Sequence, residues 1–315
     1  MIAIMGAGAF GTALAIALAR DGRDVTLWAR DVGTLARTRR STKLDVEIPK
    51  GVTITDDNAT LKGARAVLLA VPAQTLRGVL ETHADALRGL PLVACCKGID
   101  LETLTGPVDT IRKALPDNQA AILTGPSFAD DIARGLPTAL TLACADDPVG
   151  ETLQLALSTA TLRLYRTTDT VGAELGGALK NVIAIACGVT IGAGLGDSAR
   201  AALMTRGFAE MQRLAETMGA DPQTLSGLSG LGDLALTCTS DLSRNYRHGL
   251  KLGAGQDIDP TVTVEGAATS AAVTDLGQAR GLDLPVCAVV SALCARKIDV
   301  ETALQSLLAR PLKEE

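Results

Sequence analysis

Six residues near the N-terminus constrain this chain more than any other segment: Gly6-Ala7-Gly8-Ala9-Phe10-Gly11. They follow a short apolar run, Ile2–Met5, and open a helix-compatible stretch, Phe10–Arg20; Val25–Trp28 then reads as a second strand. Strand, glycine turn, helix and strand in this register make a βαβ unit carrying a dinucleotide fingerprint. The glycines serve a tight turn, close approach of a pyrophosphate and close helix–strand contact. Phosphate is expected at the helix N-terminus, where unpaired N–H groups and the macrodipole favour anions.

The alternation continues. Ala66–Val71, Leu92–Cys96, Ala121–Leu123, Ala139–Cys144 and Leu162–Tyr165 read as strands, and Ala73–Arg88 as helix. Short, near-continuous apolar strands between helices predict a mainly parallel sheet covered on both faces. From about Thr170 the strand-like runs give way to Ala-rich helical segments at 171–192, 198–218, 265–280, 286–296 and 299–309. The expected fold class is therefore α/β: a Rossmann-type doubly wound domain over 1–170 and an all-helical domain over 171–315. Thr167-Thr168-Asp169-Thr170 suits the cap of the first long helix.

Composition narrows the partners. With 47% apolar residues the 315-residue chain is not disordered, and a formal charge of −5 with few aromatic rings disfavours nucleic acid. Seven cysteines without CxxC spacing and two distant histidines read as buried thiols, not metal ligands. No basic region precedes the first apolar stretch, so a cytoplasmic protein is expected. Val171–Gly196 is apolar, but Glu174, Lys180 and Asn181 interrupt it, leaving less than the roughly 18–20 residues a spanning helix requires. A buried core helix is expected, with no membrane insertion.

Several side chains stand out against this frame. Arg30 holds the tip of the second strand, where its guanidinium suits a ribose 2′-phosphate, while the adjacent Asp31 keeps a 2′-hydroxyl partner open. NADPH is thus the expected preference over NADH. Lys180 lies on a helix face whose neighbours, Ala173, Gly176, Gly177, Ile183, Ala184 and Cys187, offer no salt bridge. That face suits close approach of another backbone or of a ligand. A lysine desolvated there is a candidate general acid/base, the alternative being a packed stem with its head in water. Asp233 ends a glycine-rich run, and Ser243-Arg244-Asn245 ten residues later reads either as a phosphate claw or as a capped helix start. Lys97 and Gly125-Pro126-Ser127 each follow an apolar strand, where doubly wound sheets open onto their ligand crevice.

Taken together, the sequence resembles the bacterial NAD(P)-dependent glycerol-3-phosphate dehydrogenases. The motifs are GAGAFGTALA at the start, CKGID at 96–100, GPSFA at 125–129, LKNVIAIACG at 179–188, AALMTRGFAEM at 201–211 and GLSGLGDLALTCTS followed by SRN. The resemblance implies reversible reduction of dihydroxyacetone phosphate to sn-glycerol 3-phosphate, feeding glycerophospholipid synthesis, with Lys180 as proton donor and acceptor. It implies substrate contacts at Lys97, Gly125, Ser127, Lys180, Asp233, Ser243, Arg244 and Asn245. Cofactor contacts are implied at Ala9, Phe10, Arg30, Lys97, Ala129, Arg244, Thr263 and Glu265, beside the fingerprint Gly6, Gly8 and Gly11. Two segments depart from the family pattern: Gly196-Asp197-Ser198 stands where GDN is familiar, and EGAATSA at 265–271 where EGVRTTK is common. The partner is then a small phosphate substrate, with a homodimer an open option. A related β-hydroxyacid-type dehydrogenase and a non-catalytic NADP(H)-sensing module are the competing readings.

Overall fold

The computed structural model describes residues 1–258 and 264–309, in two compact units, Met1–Glu174 and Leu175–Glu315. The first unit is built on strands β1 (Ile2–Met5), β2 (Val25–Trp28), β3 (Val52–Thr55), β4 (Val67–Leu69), β5 (Leu92–Ala94), β6 (Ala120–Thr124), β7 (Thr138–Cys144) and β8 (Leu162–Thr167). They form one sheet in the order β8-β7-β6-β5-β4-β1-β2-β3, parallel throughout except for the antiparallel pair β6–β7. From β1 the chain winds outward through β2 to β3, then crosses back to β4 on the other side of β1 and winds outward to β5 and β6. This reversal of strand order makes the carboxyl end of β1, beside β4, a topological switch point.

The apolar runs are continuous because both faces are buried. In β1, Ile2 and Ile4 enter one core cluster while Ala3 and Met5 enter another. Val93 and Leu92 divide in the same way, as do Leu123 and Ile122. β3 escaped the sequence reading because only its Val52 is buried; Thr53, Ile54 and Thr55 lie at the sheet edge and lack a continuous apolar signature. Helices cover the sheet, among them α1 (Ala9–Arg20), α2 (Ala73–Thr82), α3 (Pro107–Ala114), α4 (Ala129–Arg134) and α5 (Asp147–Leu157). The helix expected over 73–88 breaks at His83, and a separate turn, Ala84–Leu87, follows.

The second unit is helical throughout its described length: the greater part of α6 (Thr170–Gly192), then α7 (Gly196–Thr217), α8 (Asp233–Cys238), α9 (Arg244–Gly253), α10 (Glu265–Ala279), α11 (Pro285–Cys294) and α12 (Val300–Leu308). By length and mean hydropathy α6 qualifies as a membrane span, yet 89% of its most apolar window is buried inside the fold. It is a core helix. The division between the units falls within its first turns, after Glu174 and not ahead of Val171. Ala173 belongs to the first unit's core, and the Glu174 carboxyl oxygen Oε1 accepts the Val108 N–H at the start of α3 at 2.5 Å.

Candidate active site

In the first unit the glycine fingerprint occupies the switch point. Gly6 follows β1 with φ +115°, and a Cβ there would strike the carbonyl of Ala70 beyond β4. A Cβ on Gly11 would strike the Gly6 carbonyl, so α1 closes directly onto the turn. Beside Gly8, by contrast, there is open space. Gly8 is the N-cap of α1 and provides no side-chain cap, which leaves the first-turn N–H groups of a 12-residue helix for an outside acceptor. This cradle fits a pyrophosphate. Phe10 and Ala129 pack together on the small core between α1 and α4. Arg30 is exposed beyond the end of β2, and the Asp31 carboxylate accepts the Gly33 N–H at 3.0 Å within its own turn.

Lys97, Gly125 and Ser127 also come together. The Lys97 ammonium donates to the Gly125 carbonyl at 2.8 Å, and the Ser127 hydroxyl donates to the same oxygen at 3.1 Å. One carbonyl thus gathers both polar side chains from the ends of neighbouring strands β5 and β6.

In the second unit Lys180 projects from α6 and is nearly inaccessible. Its ammonium donates to Asp233 Oδ1 at 2.5 Å and to Thr237 Oγ1 at 2.9 Å; the lysine side chain is 8% exposed and the aspartate 1%. The Thr237 hydroxyl in turn donates to the Asp233 carbonyl at 2.6 Å. Sequence reasoning missed Thr237. It lies one helical turn after Asp233, a relation that the preceding glycines hide because they disfavour ordinary helix. In the structure Leu228–Gly232 forms a π-helical turn that runs straight into α8.

The small-residue face of α6 serves backbone contact. A Cβ on Gly176 would collide with the Ser229 carbonyl, and one on Gly188 with the Tyr246 carbonyl at close quarters; Gly249 faces the Ile185 carbonyl reciprocally. Only glycines let α6 and α9 meet backbone to backbone. The contact fixes the start of α9, where the Ser243-Arg244-Asn245 sequence sits. Both readings of that sequence find a basis here. The Ser243 hydroxyl caps α9 by accepting the Tyr246 N–H at 3.2 Å, and Asn245 Oδ1 accepts the Gly266 N–H at 2.9 Å. Arg244 remains 57% exposed, with Glu265 3.9 Å away, so its guanidinium is available to an anion. Thr263 lies outside the described residues.

The chain thus carries a buried ammonium–carboxylate–hydroxyl cluster and, in its first unit, a cradle suited to a pyrophosphate. Comparison with known proteins decides the family. The model for the N-terminus of NAD-dependent glycerol-3-phosphate dehydrogenase matches residues 1–149, and the model for its C-terminus matches 169–305. The chain belongs to the glycerol-3-phosphate dehydrogenase family. It is 63% identical to the glycerol-3-phosphate dehydrogenase [NAD(P)+] of Cereibacter sphaeroides and 59% identical to that of Roseobacter denitrificans, covering 99–100% of each chain. The crystal structure of the Coxiella burnetii glycerol-3-phosphate dehydrogenase superimposes with a TM-score of 0.91 at 34% identity, over 98% of both chains. Within this family, the cofactor class is NAD(P), matching the cradle at Gly6–Gly11.

Proposed function

We propose that this protein catalyses the reversible NAD(P)H-dependent reduction of dihydroxyacetone phosphate to sn-glycerol 3-phosphate, with Lys180 as the general acid/base. The observation that carries the proposal is the buried Lys180–Asp233–Thr237 cluster in a chain of this family. The nicotinamide, when bound, supplies the hydride that reduces C2 of the substrate. Lys180 donates a proton from its ammonium to the C2 oxygen as that oxygen becomes an alkoxide, and in the reverse direction removes the hydroxyl proton. Asp233 and Thr237 hold the Lys180 nitrogen in place. Lys97 orients the carbonyl and brings positive charge to where negative charge develops. Arg244 supplies the bidentate donor for the substrate phosphate, with Ser243 and Asn245 beside it in sequence. Binding energy from that remote group orients the reacting end.

The cofactor is held by the backbone around Gly6, Gly8 and Gly11, with Ala9, Phe10, Ala129, Thr263 and Glu265 as further contacts. NADPH is preferred. The engagement of Asp31 in its own turn and the exposure of Arg30 favour a 2′-phosphate over a free hydroxyl. In the cell the enzyme is a cytoplasmic protein, compatible with a homodimer, and its product enters glycerophospholipid synthesis.

The test follows NADPH absorbance with dihydroxyacetone phosphate as substrate. Positioned acid–base catalysis contributes about 10²–10⁴-fold. Lys180→Ala should therefore lose kcat by at least that order while its NADPH affinity, read by fluorescence, is retained. Near-normal turnover in Lys180→Ala removes the lysine from the chemistry.

A further inference from the structure

The loop that carries Lys97 is held more tightly than a surface loop requires. After Leu92–Ala94 the chain continues through the buried Cys95 and Cys96 to Lys97, and then through Gly98, Ile99 and Asp100, all buried. Asp100 is the centre of the hold. Its Oδ1 accepts the N–H groups of Glu102 at 3.0 Å and Thr103 at 2.9 Å, together with the Thr103 hydroxyl at 3.0 Å. Both carboxylate oxygens receive Arg77 Nη2, at 2.7 and 2.6 Å, and Arg77 Nη1 reaches Glu102 at 2.6 Å. Burial alone would raise the Asp100 carboxyl, but the Thr103 N–H and the Arg77 guanidinium outweigh it and hold it below the ordinary carboxylate range.

Arg77 reaches the loop from a fixed platform. Leu76 and Leu80, on the same helix α2, are fully buried in the core. One turn before Arg77, Gln74 grips the loop a second time: its amide donates to the Ile99 carbonyl at 2.7 Å and its oxygen accepts the Leu101 N–H at 3.3 Å. Gln74 therefore holds the peptides on either side of Asp100, while Arg77 holds its side chain. The two grips share a helix face because residues three apart do so.

We infer that Arg77 and Asp100 are positioning residues for Lys97, clamping its loop so that the lysine ammonium reaches one fixed place beside the Gly125 carbonyl. The inference rests on the role given to Lys97 above. Lys97 lies three residues before Asp100 and directly after the buried strand end. With both flanks fixed, the Nζ position depends only on the lysine's own rotamers. A displacement near 1 Å can cost about 100-fold in rate, so releasing one flank should register in turnover. Arg77 makes the clamp through a forked guanidinium, which a lysine's point charge does not reproduce.

A double-mutant cycle with Lys97 tests the clamp. Arg77→Met should lower kcat with dihydroxyacetone phosphate by about 10–100-fold. Cooperative thermal unfolding should be retained, as befits a side chain that is 35% exposed. Arg77→Lys should recover only part of the loss. In a Lys97→Ala background, adding Arg77→Met should cost nothing further, because there is no longer a lysine to position. Asp100→Asn, which keeps the shape and one accepting oxygen, should reproduce the Arg77→Met pattern and serves if that variant folds poorly. Losses that multiply independently in the double variant, or wild-type kcat in Arg77→Met, overturn the inference while leaving the reaction intact. Wild-type kcat in Lys97→Ala overturns the role of Lys97, and the inference with it.

Discussion

Replacing Asp233 by leucine should destabilise this protein far more than replacing it together with Lys180. Both members of the ion pair are buried, at 8% and 1% exposure, and meet at 2.5 Å. Leucine at 233 leaves an ammonium in the interior beside the Thr237 hydroxyl but without the carboxylate that pairs with it. Breaking a buried pair from one side costs about 3–5 kcal/mol, because the remaining charge is no longer compensated. That is a large share of the roughly 5–15 kcal/mol by which a typical protein is stable. Replacing both members by apolar residues of similar volume is often close to neutral, since the desolvation cost disappears with the charges. Thr237 keeps its bond to the Asp233 backbone carbonyl in either case. Asp233→Leu and Lys180→Met should thus each lose about 3–5 kcal/mol, and Lys180→Met/Asp233→Leu should be more stable than either single variant, though inactive. Urea unfolding followed by far-ultraviolet circular dichroism, with the midpoint and slope compared across the four proteins, measures this directly. If the two losses simply add in the double variant, the cluster is not an energetically coupled buried pair and the reasoning fails.

Three further outcomes follow from other parts of the chain. Arg30→Ala should lower kcat/KM for NADPH and leave that for NADH nearly unchanged; equal kcat/KM for the two cofactors, unaltered by the substitution, would refute the 2′-phosphate assignment. Burial pushes the Glu174 carboxyl up to about 8 from 4.5, so the folded state holds this proton where the unfolded chain releases it. Its contribution to stability is complete at acid pH and is lost as pH rises from about 4.5 through 8. In Glu174→Gln, whose side-chain oxygen can still accept the Val108 N–H, the fall in Tm across that window should be shallower; superimposable Tm–pH curves would contradict the assignment. Gly188→Val should force α6 away from the Tyr246 carbonyl and cost at least about 1–3 kcal/mol of stability. If Arg244 binds the phosphate from the start of α9, the same substitution raises KM for the phosphate substrate more than KM for NADPH, and equal KM changes would argue against that placement.

The parts of the fold that were legible from the chain were those with local causes. The Gly6–Gly11 fingerprint, β1 and β2 each carry their instruction within a few residues, and the strands read as apolar runs because the sheet is buried on both faces. The helices α3, α4 and α5 were less legible, since each is short and mixes charged residues with a narrow buried stripe. The antiparallel turn of β7 against β6 has no local mark at all.

The site divides along the same line. Local context marked Lys180, Asp233, Lys97 and Arg244 as candidates: an ammonium among small residues, an aspartate closing a glycine-rich run, a lysine after an apolar strand and a guanidinium beside an amide. Their roles came with the family resemblance. Their partners were a different matter. Asp233 is 53 positions from Lys180, Gly125 is 28 from Lys97, and Arg77 is 23 from Asp100. None of these pairs shares a helical or strand period, so no pattern in the sequence joins them. The sequence by itself determined that the face around Lys180 is built for close approach. Only the tertiary structure decided what approaches: backbone from the segments at Ser229 and Tyr246 on either side, and a carboxylate at the lysine itself. The physical reason is that small side chains specify a distance, whereas the identity of the neighbour at that distance depends on how the remote segments fold back.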